Sequence, residues 1–256
     1  MCKALGVVEV QPAVDELGHR SPLAGIAARH FGGKTLLEWV VRRVSEAQRL
    51  NHIVVLAGDD SRSRRLVQGC PPDAEVYFSQ ARDPLGRFAD VVNHFRADAV
   101  VRMNVSHPFV DPVLIDSLVT AAGGDEGCDY ACYRFSDGRL ALETKVGVFT
   151  EWCRGEAVLQ ANEKAEHADD RRDATGFLRS HPEHFARKLL PVPGRLDRDD
   201  LRLAIQDDED WEHVQIILDA LGPESLDWQY IAALLERQPS IRQRMLDLNL
   251  AETALV

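Results

Sequence analysis

Positive charge is scarce in this 256-residue chain: 30 Lys and Arg stand against 41 Asp and Glu, a formal net charge of −11. That balance argues against nucleic acid as a partner, because gripping a phosphate backbone needs clustered cations. It leaves room for a local basic pocket around a small phosphorylated ligand. Cysteine is also sparse, odd in number and scattered, at Cys2, Cys70, Cys128, Cys132 and Cys153. The Cys128/Cys132 pair lacks the short spacing and the second Cys/His pair of a zinc site, so the set reads as reduced thiols. No apolar run approaches bilayer-spanning length, and Met1–Val10 is too short and interrupted for a signal peptide. No membrane contact and a cytoplasmic location are therefore expected. Internal repeats and low-complexity tracts are missing too. No Asp-x-Asp stands at a strand end, which leaves a glycosyltransferase a distant option.

What is present is a hydrophobic content of 45%, enough for a full core. Gly6–Val10, His52–Ala57, Glu75–Phe78 and Ala99–Met103 are short continuous apolar runs. Unbroken apolarity, rather than alternation, suits central parallel strands covered on both faces. Helical patterns lie between them. Thr35 and Glu38 form a capping-box signature, after which Leu37, Val40, Val41 and Val44 recur at helical spacing with Arg42 and Arg43 toward solvent. Asp111-Pro112 is a second start signal, followed by the stripe Leu114, Ile115, Leu118 and Val119. This alternation predicts an α/β fold with a doubly wound sheet.

Further along, Asp129–Phe135, Val146–Phe149, Phe185–Val192 and Leu201–Ile205 read as strands and Glu151–His167 as a helix. Asp208, Glu209 and Asp210 place negative charge on the first turn of another helix, where its dipole favours it. Trp211, Val214, Ile217, Leu218 and Leu221 form that helix's apolar face. After Gly222-Pro223, two helices split by Pro239 are expected. The predicted organisation is an α/β domain over 1–222 and a C-terminal helical extension over 223–256.

The stretch Arg102–Pro112 is the most informative. It reads as a buried strand ending in a polar turn that opens a helix, and in parallel α/β proteins ligands bind outside such strand ends. This stretch, with Phe31–Val40, Ile53–Asp60, Asp83–Phe88, Ala97–Arg102, Arg202–Asp210 and Leu234–Pro239, resembles the cytidylyltransferases of spore-coat polysaccharide synthesis. More distantly it is similar to CMP-sugar synthetases. The resemblance implies a mostly parallel sheet flanked by helices, of the nucleotide-diphospho-sugar transferase type, with CTP or another nucleotide and a sugar as ligands and pairing as a homodimer. It implies attack of a sugar oxygen on the α-phosphate of CTP, with Mg²⁺ held by carboxylates and cations around the triphosphate.

The resemblance also locates the departures. An ungapped count places Pro22 and Ile26 where the family carries an arginine and a lysine, and Arg20 or Arg29 is then a replacement cation. The family's Gly-Asp pair is Val105-Ser106, and its late Asp is Gln206. A serine hydroxyl and a neutral amide lack the charge that hard cations prefer. Candidate nucleotide-binding residues are Arg20, Arg29, Lys34, Arg87, Asn104 and Ser106, with Asp207 a candidate metal ligand or else a helix cap. The leading reading is a cytidylyltransferase-like protein transferring CMP from CTP to a sugar or sugar acid. The alternative is a catalytically inactive relative that binds nucleotide or sugar, or serves as a scaffold.

Other residues carry two readings. His107 is a general base or a packing residue. Gly32-Gly33-Lys34 is a phosphate cradle or a turn. Arg87 contacts nucleoside or pairs with Asp83 or Asp90. Arg102, on a buried strand, needs a partner. The Arg62–Arg65 cluster and Arg171-Arg172 read as solvated faces.

Overall fold

The computed structural model describes residues 4–10 and 25–253. The strands are β1 (Ala4–Glu9), β2 (His30–Phe31), β3 (Lys34–Thr35), β4 (His52–Gly58), β5 (Glu75–Ser79), β6 (Ala99–Asn104), β7 (Tyr130–Arg134), β8 (Glu151–Arg154) and β9 (Arg187–Pro191). The helices are α1 (Leu36–Ser45), α2 (Ser61–Leu66), α3 (Pro84–Phe95), α4 (Pro112–Gly123), α5 (Gly155–Lys164), α6 (Ala168–Arg171), α7 (Gly176–Ser180), α8 (Asp208–Leu221), α9 (Trp228–Glu236) and α10 (Pro239–Thr253).

Seven strands form one sheet in the order β5-β4-β1-β6-β8-β7-β9, and β2-β3 is a separate hairpin. Every pairing in the main sheet is parallel except those of β8, which runs against both β6 and β7. The continuous apolar runs are explained by two cores. Val8, Val55 and Val101 face one, under Leu37, Val40, Ile115, Leu118, Val214 and Ile217 of α1, α4 and α8. Val7, Val54 and Val100 face the other, under Leu85, Phe88, Val92, Val158 and Leu178 of α3, α5 and α7. Successive strand residues point to opposite faces, so a sheet covered on both sides has no polar positions to alternate.

The start signals act as read. Thr35 Oγ1 accepts from the Glu38 amide at 3.1 Å, and Asp111 Oδ1 accepts from Val113 and Leu114 at 3.0 and 3.1 Å, with Pro112 opening α4. Gly32-Gly33 is the turn of the β2-β3 hairpin: both residues have positive φ, 58° and 78°, as a tight two-residue connection requires.

Several expectations are corrected. Glu151–His167 is not one helix. Its first four residues are β8, and α5 starts at Gly155, where a side chain would collide with the Ala97 carbonyl. Val146–Phe149 and Leu201–Ile205 are not strands but buried loops that bond to each other's surroundings: the Leu203 and Ala204 amides donate to the Lys145 carbonyl at 2.8 and 2.9 Å. Their apolar side chains seal the core without a ladder partner. Arg171 is not solvated. It pairs with Asp83 at 3.1 Å and donates to the Asn162 and Ala165 carbonyls at the end of α5. Arg62, Arg64 and Arg65 are exposed as expected, with Arg64 paired to Asp59 and lying over the Phe78 ring. Cys70, Cys128, Cys132 and Cys153 are free thiols, and burial pushes Cys132 up to about 12.

Arg43 is the largest departure from the helical pattern. It is buried, not solvent-facing, and donates to the Val110 and Leu226 carbonyls, both at 2.9 Å. It thereby fastens α1 to the turn before α4 and to the chain entering α9. Arg43→Met is expected to lower the unfolding free energy by about 1–3 kcal/mol, because two buried carbonyls lose their donor; urea denaturation measures it.

Candidate functional site

β1 and β6 lie side by side in parallel, with Glu9 opposite Asn104 at their C-terminal ends. Beyond Asn104 the chain turns sharply. The Asn104 side-chain oxygen accepts from the Ser106 amide at 2.9 Å and from its hydroxyl at 3.0 Å. The His107 amide returns to the Asn104 carbonyl at 3.0 Å, and the Trp39 indole donates to the Pro108 carbonyl at 2.9 Å. Asp111 closes the segment by capping α4 with one oxygen and accepting from the Trp228 amide with the other.

Two loops supply the facing wall. Gly147 has φ +67°, and a Cβ there would meet the Ala204 nitrogen at 2.6 Å, so only glycine lets residues 145–147 approach residues 203–205 this closely. The Ile205 amide donates to the Ser106 carbonyl at 2.9 Å, drawing Gln206 to Ser106's side. The Gln206 amide is held by Asp210, itself buried against Arg202 at 2.6 Å.

Between these segments lies a cavity of about 180 Å³, walled by Asn104, Ser106, His107, Thr144, Lys145 and Gln206 over a floor of Arg102, Glu151, Asp173 and Arg179. A second, shallow cleft shares Asn104 and is bordered by Val10, Ile26 and Leu66.

The floor is a closed charge network. Arg102 donates to Glu9 at 2.9 Å, to Glu151 at 2.8 Å and to Asp173 at 2.7 Å. Glu151, fully buried, also accepts from Tyr130 at 2.7 Å and Thr175 at 2.8 Å. Arg179 pairs with Glu151 and Asp173. Burial opposes the charge on Asp173, but Arg102 and Arg179 more than offset it and hold its carboxyl well below the usual carboxylate range. Burial, then the Arg102 and Lys145 charges, push His107 down to about 4, so its ring is neutral near pH 7. A neutral imidazole beside Ser106 is a hydrogen-bonding surface rather than a charged contact.

Of the residues singled out in the sequence, the structure brings Asn104 and Ser106 together in this cavity, with His107 and Gln206. Arg102 is in its floor, but Arg29, Lys34, Arg87 and Asp207 are not among its lining residues. Arg29 pairs with Asp208 at 2.7 Å and lies over the Trp211 ring. Lys34 is on the β3 side of the hairpin. Arg87 is buried on α3 and donates to the Arg82 carbonyl at 2.9 Å. Arg20 and Pro22 lie outside the described residues. Asp207 caps α8 by accepting from the Asp210 amide at 2.9 Å. Lys145, Glu151, Asp173 and Arg179 were not singled out. The one signal for them was Arg102, a charge on a buried strand that had to find partners.

Among the described residues, the donor set does not fit a resident Mg²⁺. Such an ion takes one or two protein carboxylates beside ligand phosphates. Here the converging side chains are a hydroxyl and an amide, and Glu151 and Asp173 are already occupied by arginines. Among the described residues no group of three His, Cys, Asp or Glu side chains is disposed to hold a metal.

Residues 27–210 match the MobA-like NTP transferase domain. The chain belongs to that family. Among curated relatives of this MobA-like domain, the spore coat polysaccharide biosynthesis protein SpsF of Bacillus subtilis (strain 168) is 24% identical over 224 residues, 85% of this chain and 90% of SpsF. A 3-deoxy-manno-octulosonate cytidylyltransferase of Leptospira interrogans is 31% identical over 121 residues, 47% of this chain and 46% of that enzyme. Among solved structures, a cytidylyltransferase from Leptospira borgpetersenii superposes with a TM-score of 0.77 at 18% identity, covering 94% of this chain and 96% of that one. A CMP:2-keto-3-deoxy-manno-octonic acid synthetase complexed with CTP gives 0.61 at 14% identity, with 85% and 99% coverage. Rv0371c of Mycobacterium tuberculosis H37Rv, solved with manganese, gives 0.56 at 15% identity, with 84% and 98% coverage. At these identities the structural likeness establishes the fold alone: a mostly parallel sheet flanked by helices. Divalent metal is thus present in one structural neighbour, while Ser106 and Gln206 of this MobA-like domain are neutral side chains lining the cavity.

Two outcomes follow from the floor. Arg102→Met leaves buried carboxylates without their counter-charge and is expected to cost about 3–5 kcal/mol of stability in chemical denaturation. Histidine in an unfolded chain titrates at about 6.5, above the folded value of His107. The unfolded state therefore binds the extra proton first, and stability falls as pH drops from about 6.5 toward 4. His107→Gln is expected to flatten that part of the Tm–pH profile.

Proposed function

We propose that this chain is a cytidylyltransferase-like protein of sugar or polysaccharide biosynthesis, binding a cytidine nucleotide and a sugar at the C-terminal ends of β1 and β6. In the proposed reaction a sugar oxygen attacks the α-phosphate of CTP. A new phosphorus–oxygen bond forms and pyrophosphate leaves, so CMP passes to the sugar. One observation carries this reading. Asn104–His107 and Leu203–Gln206, far apart in the chain, close on a single polar cavity. Ligand sites of doubly wound sheets lie at such strand ends. The names of the relatives agree with it, since one acts in spore-coat polysaccharide synthesis and others are cytidylyltransferases. Asn104 and Ser106 then contact the nucleotide. The chain from residue 223 on, with α9 and α10, is then a helical extension of the domain, and a cytoplasmic homodimer belongs to the same reading.

A second reading, a ligand-binding relative without turnover, is favoured by one observation: Ser106 and Gln206, which both line the cavity, bring no carboxylate to it. Thermal unfolding with CTP, with and without MgCl₂, followed by pyrophosphate release with 3-deoxy-manno-octulosonate and other sugar acids, separates the two. Saturating CTP at about 100 times Kd is expected to raise Tm by roughly 5–10 °C. Pyrophosphate release supports transfer, a shift without release supports the second reading, and neither shift nor release refutes both.

A further inference from the structure

We propose that the Lys145 ammonium is the cation this cavity offers to an anionic group of its ligand, a phosphate or a carboxylate, in place of a carboxylate-held divalent ion. The inference rests on the reading of the cavity as a nucleotide and sugar site.

Among the described residues, three basic ones line the cavity: Arg102, Arg179 and Lys145. Arg102 is spread over Glu9, Glu151 and Asp173, and Arg179 over Glu151, Asp173 and the Thr175 hydroxyl. Pulling Arg102 away would cost the buried Glu9 its ion pair, and pulling Arg179 away would remove one of the two guanidinium partners of the fully buried Glu151, so both moves are unfavourable. Lys145 is in a different position. Its ammonium pairs with Glu252 of α10 at 3.0 Å, with side chains 28% and 46% exposed. An ion pair that open to water adds little to stability. Glu252 also accepts from Arg202 at 2.8 Å, so it keeps a counter-charge when Lys145 turns away. The backbone of Lys145 is fixed meanwhile, because its carbonyl accepts from Leu203 and Ala204. The charge of Lys145 is already felt at His107, across from which Ser106 and Gln206 supply neutral oxygens and an amide. One movable cation on a rigid stem therefore faces a polar cavity whose acidic groups are spoken for. A ligand anion exchanges for Glu252 at small cost.

Isothermal titration in EDTA tests this, using CTP, CMP and 3-deoxy-manno-octulosonate as anionic probes and cytidine as the neutral control. Wild type is expected to bind at least one anionic probe without metal. Lys145→Met weakens that probe by about tenfold or more while changing cytidine by less than about twofold, as loss of a charge-assisted contact requires. Lys145→Arg restores most of the affinity. Glu252→Gln, which frees Lys145, tightens binding about two- to threefold on the same scale. Loss confined to CTP and CMP assigns the contact to phosphate, and loss confined to the sugar acid assigns it to carboxylate. Binding that vanishes in EDTA and returns with MgCl₂, or a Lys145→Met protein that binds like wild type, overturns the proposal and leaves the functional reading standing. No binding of any probe, with or without metal, overturns both.

Discussion

A guanidinium taken out of water has to find its counter-charges within the protein, and Arg102 finds them on three separate elements. Glu9 arrives from β1, Glu151 from the start of β8, and Asp173 from the chain before α7. Each isolated charge at this depth would be several kcal/mol unfavourable, whereas the assembled set is hydrogen-bonded throughout. Tyr130 and Thr175 supply the remaining donors to Glu151. The network therefore dictates how the sheet's central strands, β8 and α7 sit relative to one another. It also gives the cavity a floor whose polar groups are already oriented, which is what preorganised recognition of a polar ligand needs.

The reversed strand makes this geometry available. In an all-parallel sheet only residues leaving a strand reach the ligand end. Because β8 runs against β6, Glu151 enters its strand opposite Arg102 as β6 is about to end. The loop before β8 is thereby brought to the ligand end too, where Gly147 lets it press on the Ala204 backbone. The walls are thus loops without ladder partners, held by backbone bonds to the Lys145, Val148 and Ser106 carbonyls.

How far sequence reaches is set by the range of the interactions. β1, β4, β5 and β6 were legible because burial on both faces writes an unbroken apolar run. α1, α4 and α8 were legible because Thr35, Asp111 and the acidic run at Asp207–Asp210 mark their starts locally. β8 was hidden because it is four residues long and leads straight into Gly155 and α5, so its residues joined the helical pattern. Val146–Phe149 and Leu201–Ile205 look like strands for the opposite reason: apolar side chains fill the core there while the backbone bonds elsewhere. Arg43 was misplaced because its acceptors are Val110 and Leu226, distant in the chain. In the site, Asn104, Ser106 and Gln206 were found through likeness to the family. Glu151, Asp173 and Arg179 carry no local mark, since their roles exist only once Arg102 has folded between them.

The short run from Lys145 to Glu151 carries two duties at once, shaping the ligand's surroundings and delivering a carboxylate to the buried floor. Diversity introduced there in search of altered selectivity is filtered first by folding. Gln206 is freer, its side-chain amide tethered to the neighbouring Ile205 carbonyl at 3.2 Å. Evolution of new ligand preference in this scaffold has its easiest path through the late loop, with the glycine-bearing one left as scaffold.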